Sequence, residues 1–260
     1  MTLIKIKSIG ADPEFFIKQG DHFLPSTFFV NGTKEHPEDM GDGFQLLKDN
    51  LSIEGNIPAA YSKEEFVKNI KFLKHLITTA LKFSEYKDAE IAYTDSAKFE
   101  LRYLYSEDGM TFGCSNYNDA WSNKTVQTPT LHDLNTRQIG FHIHIGYEIS
   151  EDCNYSKKDL NIAITRAFDA LISYQSDKIH ESKERRKYYG KFGSYRDKPY
   201  GVECRSLGGF FTQDKYLEWI YDQVQNVGEF VNAEIENILE AETIQDVVKI
   251  NFNKNIKIPE

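Results

Sequence analysis

The chain has 260 residues, of which 40% are hydrophobic, 27% charged and 13% aromatic. This composition supports a sizeable buried core and excludes disorder over most of the length. Forty acidic residues against 31 basic ones give a formal net charge of −9, which argues against general nucleic-acid binding because that function needs a basic surface. No run of residues approaches the roughly 20 apolar residues that span a bilayer.

The N-terminus and the cysteines indicate the compartment. Residues 1–10 alternate Lys and Ile and lack the apolar region of a secretory signal. The three cysteines, Cys114, Cys153 and Cys204, are widely spaced and form no C-x-x-C pair, which favours reduced thiols over a disulfide framework or a thiolate zinc site. We therefore expect a cytoplasmic protein.

The first 105 residues predict short strands and one long helix. Strands are predicted at 4–9, 15–17, 28–31, 44–47, 51–57, 90–93 and 99–104, with a turn at 19–21. Ser62 and Glu65 form a capping-box pattern that opens the helix. Its apolar stripe has helical spacing and consists of Phe66, Ile70, Leu73, Ile77 and Leu81.

The remaining residues add a long excursion, two strands and several helices. Residues 107–135, rich in Gly, Ser, Asn, Asp and Thr, predict a long surface loop. Strands are predicted at 137–149 and 201–207, and helices at 156–175, continuing in a polar stretch to 186, and at 213–239 and 244–250. No repeat or linker divides the chain. We expect a single α+β domain over residues 1–260, with the helices from about 213 packed on it.

The middle of the predicted 137–149 strand, residues 140–147, directs two histidines to the same face. Side chains alternate with period two, so His142, His144 and Gly146 share the face opposite the apolar residues. A neutral imidazole there can ligate a metal or contact a phosphate. The alternative is that both are merely polar residues on a half-exposed sheet.

A second strand and the loop before it combine an acid with several cations. Glu203 and Arg205 share one strand face, where they could also form a simple ion pair. Residues 186–196 contain glycines, cations and four aromatic rings, which can wrap a polyphosphate or form a basic surface turn. Four of the seven arginines fall within 21 residues, namely Arg185, Arg186, Arg196 and Arg205. Such a cluster predicts that an anion is bound there.

Acidic residues complete the pattern. Asp12 and Glu14 are two residues apart, and Glu54 lies on the polar face of the 51–57 strand. Carboxylates that converge repel one another unless a cation joins them, and oxygen-rich ligation favours Mg²⁺ or Mn²⁺. Metal and arginines together favour phosphoryl transfer. The sequence contains no P-loop, dinucleotide-binding glycine motif, G-x-S-x-G elbow or H-E-x-x-H helix.

The sequence resembles the phage-encoded carboxylate–amine ligases (type 2 amidoligases) of the glutamine-synthetase-like superfamily. The matching segments are 10–14, 49–56, 137–146 and 189–207, in the family's order and within the first 210 residues or so. Glu203-Cys204-Arg205 resembles the E-x-R strand of glutamine synthetases, and His142-Ile143-His144 resembles their H-x-H strand.

The resemblance implies a curved, mostly antiparallel sheet with helices on its convex face and ATP with two or more Mg²⁺ ions, or Mn²⁺, on its concave face. The implied metal ligands are Glu14, Glu54, His142 and Glu203, with Asp12 as a further candidate. The implied phosphate contacts are His144, Arg186, Lys191 and Arg196. Arg205 is expected at the substrate carboxylate or the γ-phosphate, so Arg196, Arg205 and Glu203 are the expected catalytic residues.

Two departures limit the resemblance. Asp12 stands where a glutamine synthetase has a second Glu, so the ligand set of the first metal is open. The chain is also far shorter than a glutamine synthetase, so the ring-shaped oligomer is not implied.

The implied reaction is ATP-dependent amide formation. A carboxylate takes the γ-phosphoryl group to give an acyl phosphate, and an amine then displaces phosphate. The partners are thus a carboxylate and an amine, and the location is the host cytoplasm if the chain is phage-encoded. A lid that shields the acyl phosphate from water is expected at 107–135 or 188–197. Two alternatives stay open: a guanidino-kinase-like phosphotransferase and a non-catalytic phage binding or structural protein.

Overall fold

The computed structural model describes residues 2–105, 109, 116–127, 135–180, 183–250 and 258–259. Within them the chain has a mixed α/β fold, with one large antiparallel sheet of eleven strands, a separate two-stranded sheet and several helices. The predicted combination of antiparallel strands and helices is confirmed.

The large sheet is built from β1 (Ile4–Gln19), β2 (His22–Leu24), β3 (Glu38–Asp39), β4 (Gln45–Asp49), β5 (Ser52–Asn56), β6 (Glu90–Ala92), β8 (Tyr117–Asp119), β9 (Lys124–Val126), β11 (Phe141–Ile149), β12 (Ser194–Lys198) and β13 (Gly201–Cys204). The strands β7 (Ser96–Lys98) and β10 (Thr136–Gln138) pair separately. Neighbours in the large sheet follow the order β3-β4-β5-β1-β11-β13-β12-β8-β9, while β2 and β6 also pair with β1.

The helices are α1 (Lys63–Phe83), α2 (Leu101–Leu104), α3 (Lys157–Phe168), α4 (Tyr174–Ser176), α5 (Lys183–Arg186), α6 (Asp214–Glu240) and α7 (Ile244–Ile250). A π-helical turn, Asp169–Ser173, joins α3 to α4. Short 3₁₀ turns lie at Ser26–Phe28 and Gly209–Thr212.

The main core lies between one face of the sheet and the long helices. Ile143, Ile145 and Val202 are fully buried on that face, and α1, α3 and α6 contribute apolar side chains such as Leu73 and Val227 to the same cluster. Because side chains alternate along a strand, the neighbouring polar residues of β11 and β13 point to the opposite face, as the sequence predicted.

Strand β1 is long enough to pair with different neighbours along its length. Its first part pairs with β11, which places Gly10 opposite His144 and Asp12 opposite His142. Its later part pairs with β5, which places Glu14 opposite Glu54. These registers bring acids and histidines from three strands to one region of the polar face.

Several predicted elements are confirmed. Ser62 caps α1 by accepting the Glu65 backbone N–H at 3.1 Å, and the helix ends two residues beyond Leu81. The 44–57 hairpin, the turn at 19–21, the strand at 90–93, the helix beginning at 156 and both C-terminal helices are all present.

Four predicted strands are wrong or need different bounds. Residues 28–31 are not a strand because the Ser26 carbonyl accepts the N–H groups of Phe29 and Val30, which curls the chain. Residues 101–104 form the helical turn α2 rather than a strand. The predicted 137–149 strand is interrupted at 139–140, and β13 ends at Cys204 rather than at 207.

The predicted loops contain strands that the sequence analysis missed. The hairpin β8–β9 lies within 107–135 and pairs with β12, and β12 begins within the predicted loop 188–197 and ends one residue beyond it. Residues 106–108, 110–115 and 128–134, including Cys114, lie outside the described residues. Cys153 and Cys204 carry free thiols. Among the described helices, none combines the length and apolarity needed to cross a membrane.

Candidate active site

The first cluster on the polar face consists of Glu14, Asp49 and Glu54. One carboxylate oxygen from each lies within 4.8 Å of the others. The hairpin register pairs Asp49 with Ser52 and Leu47 with Glu54, so Asp49 lies on the same face as Glu54. The Lys34 ammonium lies 3.2 Å from Asp49 Oδ2 and 3.9 Å from Glu54 Oε2.

Electrostatics in this cluster disfavour ionisation of Glu14 and Glu54. Burial, reinforced by the Asp49 charge, raises the pKa of Glu14 to about 7. Burial also raises the pKa of Glu54 well above its ordinary value, with further contributions from Asp49 and Glu14. Carboxylates grouped in this way can all be ionised near neutral pH only if cations lie between or beside them.

The second cluster consists of Asp12, His144 and Glu203, whose ligand atoms also lie within 4.8 Å of one another. His144 Nε2 is 2.7 Å from Asp12 Oδ2, and its Nδ1 is 2.5 Å from the Tyr200 hydroxyl. Strand pairing creates this group because His144 faces Glu203 directly across β11 and β13.

Cations surround Glu203, which is only 1% exposed. Arg205 Nη1 bonds to Glu203 Oε1, Arg196 Nη1 lies 3.6 Å from the same oxygen, and Lys198 Nζ lies 2.8 Å from Oε2. Burial opposes ionisation of Glu203, yet the charges of Arg205 and Lys198 hold its pKa well below the ordinary value. Glu203 is therefore a carboxylate at neutral pH.

His142 joins the two clusters. Its Nε2 lies 3.6 Å from Glu14 Oε1, and its Nδ1 lies 3.8 Å from Glu203 Oε1. Burial, reinforced by the Arg205 charge, lowers the pKa of His142 well below its ordinary value, so the imidazole is neutral. The sequence left open a half-exposed position for this histidine, but His142 is 2% exposed.

The Tyr189 hydroxyl sets the hydrogen-bonding pattern between these groups. It donates to Glu14 Oε1 at 2.7 Å and lies 2.8 Å from His142 Nε2. A hydroxyl that donates to Glu14 must accept from Nε2–H. That tautomer leaves His142 Nδ1 as the acceptor for Arg205 Nη1 at 3.3 Å.

The donor atoms of both clusters fit divalent cations. Five of the six ligating residues are carboxylates, and hard oxygen donors suit Mg²⁺ and Mn²⁺. In the described part of the chain, the buried atoms Glu203 Oε2 and His144 Nε2 make no hydrogen bond of good geometry despite their close polar neighbours. Oxygen and nitrogen atoms of this kind can coordinate a metal ion.

The structure brings together six of the side chains that the sequence singled out. Glu54 lies beside Glu14, Glu14 contacts His142, and His142 contacts Glu203, which is held by both arginines. The set is Glu14, Glu54, His142, Glu203, Arg196 and Arg205. Asp12 and His144 join the same face. The arginine contacts leave Arg196 26% exposed, so it can reach a ligand.

The predicted anion-binding group of four arginines is divided by the structure. Arg185 is buried and donates to the carbonyls of Ile139, Ser206 and Leu207. Arg186 donates to the carbonyls of Ser173, Gly190 and Ser206 and to both carboxylate oxygens of Asp177. Only Arg196 and Arg205 of the four contact the described acid clusters, because the backbone carbonyls of the surrounding loops hold the other two.

Arg186 and Lys191 line a separate surface cavity. Its volume is about 550 Å³, and it is lined by Tyr174, Asp177, Lys178, Lys183, Arg186, Lys191, Phe192 and Gln245. Contacts of these two cations with a nucleotide phosphate stay a prediction.

Sequence reasoning missed four residues of the site: Lys34, Asp49, Tyr189 and Lys198. Asp49 could have been found by extending the β4 alternation two residues beyond Leu47, since the turn comprises only residues 50–51. Lys198 is two residues beyond Arg196 on a strand that was predicted as a loop. Lys34 and Tyr189 lie in irregular segments, for which no periodicity exists.

A buried group of acids, histidines and arginines with displaced pKa values on one sheet face is typical of an enzyme active site. Residues 131–246 match the model of a family described as phage phiEco32-like COOH-NH2 ligase-type 2. The match supports a phage-type carboxylate–amine ligase, an enzyme that forms carbon–nitrogen bonds, and confirms the predicted resemblance. No curated protein matches the chain.

The matched segment includes only part of the site. His142, His144, Arg196, Glu203 and Arg205 lie within 131–246. The acids contributed by β1, β4 and β5 lie outside it, so their assignment depends on the geometry alone.

Proposed function

We propose that the chain is an ATP- and Mg²⁺-dependent ligase that joins a carboxylate to an amine through an acyl phosphate. The observation that carries this proposal is the position of two metal-type clusters beside Arg196 and Arg205 on one polar sheet face. The family match supports amide-bond chemistry. A carboxylate needs activation because its oxygen is a poor leaving group, and phosphorylation supplies that activation.

We further propose a glutamine-synthetase-like architecture. The H-x-H segment of β11 and the E-x-R segment that begins in β13 lie on adjacent antiparallel strands, with His144 opposite Glu203. This pairing supports the resemblance of the two motifs. Helices lie on the apolar face, and the polar face carries the candidate ligands.

The two clusters are the proposed cation sites. Glu14, Asp49 and Glu54 would hold one ion and Asp12, His144 and Glu203 another, with His142 between them. Bound divalent cations would neutralise the charge of the nucleotide phosphates and polarise the transferred phosphoryl group. The acids supply the negative charge that recruits these cations to a protein face.

Arg205 and Arg196 are the proposed groups that bind the reacting anions. Both guanidinium groups reach Glu203 Oε1, so they lie at the same edge of the second cluster. Planar guanidinium forks match phosphate and carboxylate oxygens. Holding the two anions in line lowers the entropic cost of the reaction.

The segment around Tyr189 is the proposed lid. Its hydroxyl contacts Glu14, His142 and Arg205, so this segment covers the junction of the clusters. The hairpin β8–β9 is a less suitable lid because it pairs with β12, the strand of Arg196. Excluding water here would protect the acyl phosphate from hydrolysis.

The decisive experiment measures ADP and phosphate release with Mg²⁺, ATP and panels of carboxylates and amines, and uses mass spectrometry to detect a new amide. We expect release that depends on both substrates, with an amide of the matching mass. A stable phosphorylated product without amide would instead support the guanidino-kinase-like alternative. Absence of turnover over broad panels, with no binding of ATP, would support the non-catalytic alternative.

A further inference from the structure

Each metal-type cluster has its own lysine. Lys34 Nζ lies 3.2 Å from Asp49 Oδ2 and 3.9 Å from Glu54 Oε2. Lys198 Nζ lies 2.8 Å from Glu203 Oε2. The two lysines come from different parts of the chain, Lys34 from the segment before β3 and Lys198 from the end of β12.

The lysines differ from Arg205, which contacts Glu203 together with Lys198. Arg205 is 5% exposed and is also held by His142 and Tyr189. The side chains of Lys34 and Lys198 are 39% and 28% exposed. A lysine is a compact charge on a flexible stem, so it can leave a carboxylate at less cost than a buried guanidinium fork.

A divalent cation competes directly with these ammonium groups. It carries twice the charge of a lysine, and oxygen atoms from all three acids of the first cluster can coordinate it at once. A lysine donates at most three hydrogen bonds and coordinates nothing. The carboxylate oxygens that Lys34 and Lys198 contact belong to residues that the geometry groups as ligands.

We propose that Lys34 and Lys198 are exchangeable counter-ions of the two cation sites. In the metal-free protein they neutralise the buried acids, and each is displaced when a divalent cation enters its cluster. The two lysines thereby set the affinity of the sites for metal. This inference rests on the proposed function because it requires both clusters to bind cations.

The test is direct binding of Mn²⁺ to the full chain, with free Mn²⁺ measured by electron paramagnetic resonance after removal of metals by chelation. We expect at least two Mn²⁺ ions per chain. Lys34→Met should tighten binding of one of them by up to about fivefold, and Lys198→Met should tighten binding of the other, since each variant removes a competing charge of ordinary ion-pair strength. Lys34→Arg keeps the positive charge and should leave the affinity for Mn²⁺ close to that of the wild type.

A matched control and a second variant assign the effect. Lys7, paired with exposed Glu148 away from the clusters, provides the control Lys7→Met, which should leave both affinities unchanged. In an Asp49→Asn background, which removes the carboxylate nearest to Lys34, Lys34→Met should lose most of its effect while Lys198→Met keeps its own. Circular dichroism verifies that every variant is folded.

The outcomes separate the inference from the proposed function. If the wild-type chain binds two Mn²⁺ ions and Lys34→Met or Lys198→Met binds them with unchanged affinity, the counter-ion role is overturned and the ligase proposal stands. An equal effect of Lys7→Met would also overturn it, because the change would then reflect net charge alone. A wild-type chain that binds no Mn²⁺ would overturn both the counter-ion role and the metal dependence of the proposed ligase.

Discussion

At the scale of single residues, Glu203 shows how neighbouring cations stabilise a buried negative charge. It is 1% exposed, and it stays ionised because Arg205, Arg196 and Lys198 lie around its two oxygens. Three cations around one buried carboxylate offset the cost of removing its charge from water. The arrangement suits a residue that exchanges partners.

The variant Glu203→Gln tests this role. We expect amide formation to fall by about 100-fold or more, as for loss of one preorganised electrostatic group in an active site, while the protein remains folded because Gln has nearly the same shape. Steady-state turnover together with circular dichroism measures both properties. Glu148→Gln, at an exposed pair, is the control, and full activity of Glu203→Gln would remove the proposed metal role.

The variant Tyr189→Phe tests the hydroxyl that joins Glu14, His142 and Arg205. Removing it leaves buried Glu14 Oε1 without its donor, which should lower the free energy of unfolding by about 1–3 kcal/mol. Urea unfolding measures the change. Tyr61→Phe, at a ring that is 71% exposed, should change stability by less than about 0.5 kcal/mol; equal losses in both variants would contradict the network.

At the scale of secondary structure, the position of Glu54 depends on how closely strand β5 packs against helix α1. Gly55 of β5 follows Glu54 and lies beneath α1. A Cβ at this position would meet Leu73 Cδ2 at 2.6 Å, closer than side chains tolerate. Glycine therefore allows β5 to approach α1 and sets the position of the neighbouring acid.

A double-mutant cycle tests this contact. Gly55→Ala should lower the free energy of unfolding by about 1–3 kcal/mol through overpacking. Leu73→Ala should lower it by about 2–5 kcal/mol because it leaves a cavity in the core. The double variant should lose about 1 kcal/mol less free energy of unfolding than the two single variants lose together, since the alanine at 55 fills space vacated by Leu73. Strict additivity in urea unfolding would contradict the close contact.

At the scale of the whole molecule, two buried acids, Glu14 on the polar sheet face and Asp169 in the turn between α3 and α4, make stability depend on pH. The folded pKa of Glu14 is about 7, above its ordinary value of 4.5, and that of Asp169 is about 7, above 3.8, in both cases chiefly because of burial. A folded pKa that is raised means that the native state binds more protons than the unfolded state. Stability conferred by the protonated forms is therefore lost as pH rises from about 4 to about 7.

We expect the metal-free chain to have a lower free energy of unfolding at pH 8 than at pH 5.5. Saturating Mg²⁺ at pH 8 should restore stability, by about 2.7 kcal/mol when the ion is at 100 times its dissociation constant. Glu14→Gln should raise metal-free stability at pH 8 and lose much of the gain from Mg²⁺. Urea unfolding at the two pH values, with and without Mg²⁺, measures these changes; equal stability of the metal-free wild type at both would contradict the raised pKa values.

Local pattern alone predicted much of this protein. The capped helix α1, the 44–57 hairpin and the shared face of His142 and His144 follow from periodicity and capping, because these signals depend on residues a few positions apart. The same alternation placed Glu203 and Arg205 together. All the candidate ligands except Asp49 were therefore visible as residue types on polar faces before any strand pairing was known.

Tertiary structure decided which of these residues meet. Glu14 lies opposite Glu54, and His144 opposite Glu203, only because β1 pairs with β5 and β11 pairs with β13. Register between distant strands depends on the packing of the whole core, which no local window contains. The same long-range packing assigned Arg185 to backbone carbonyls and brought Lys34 to the acids.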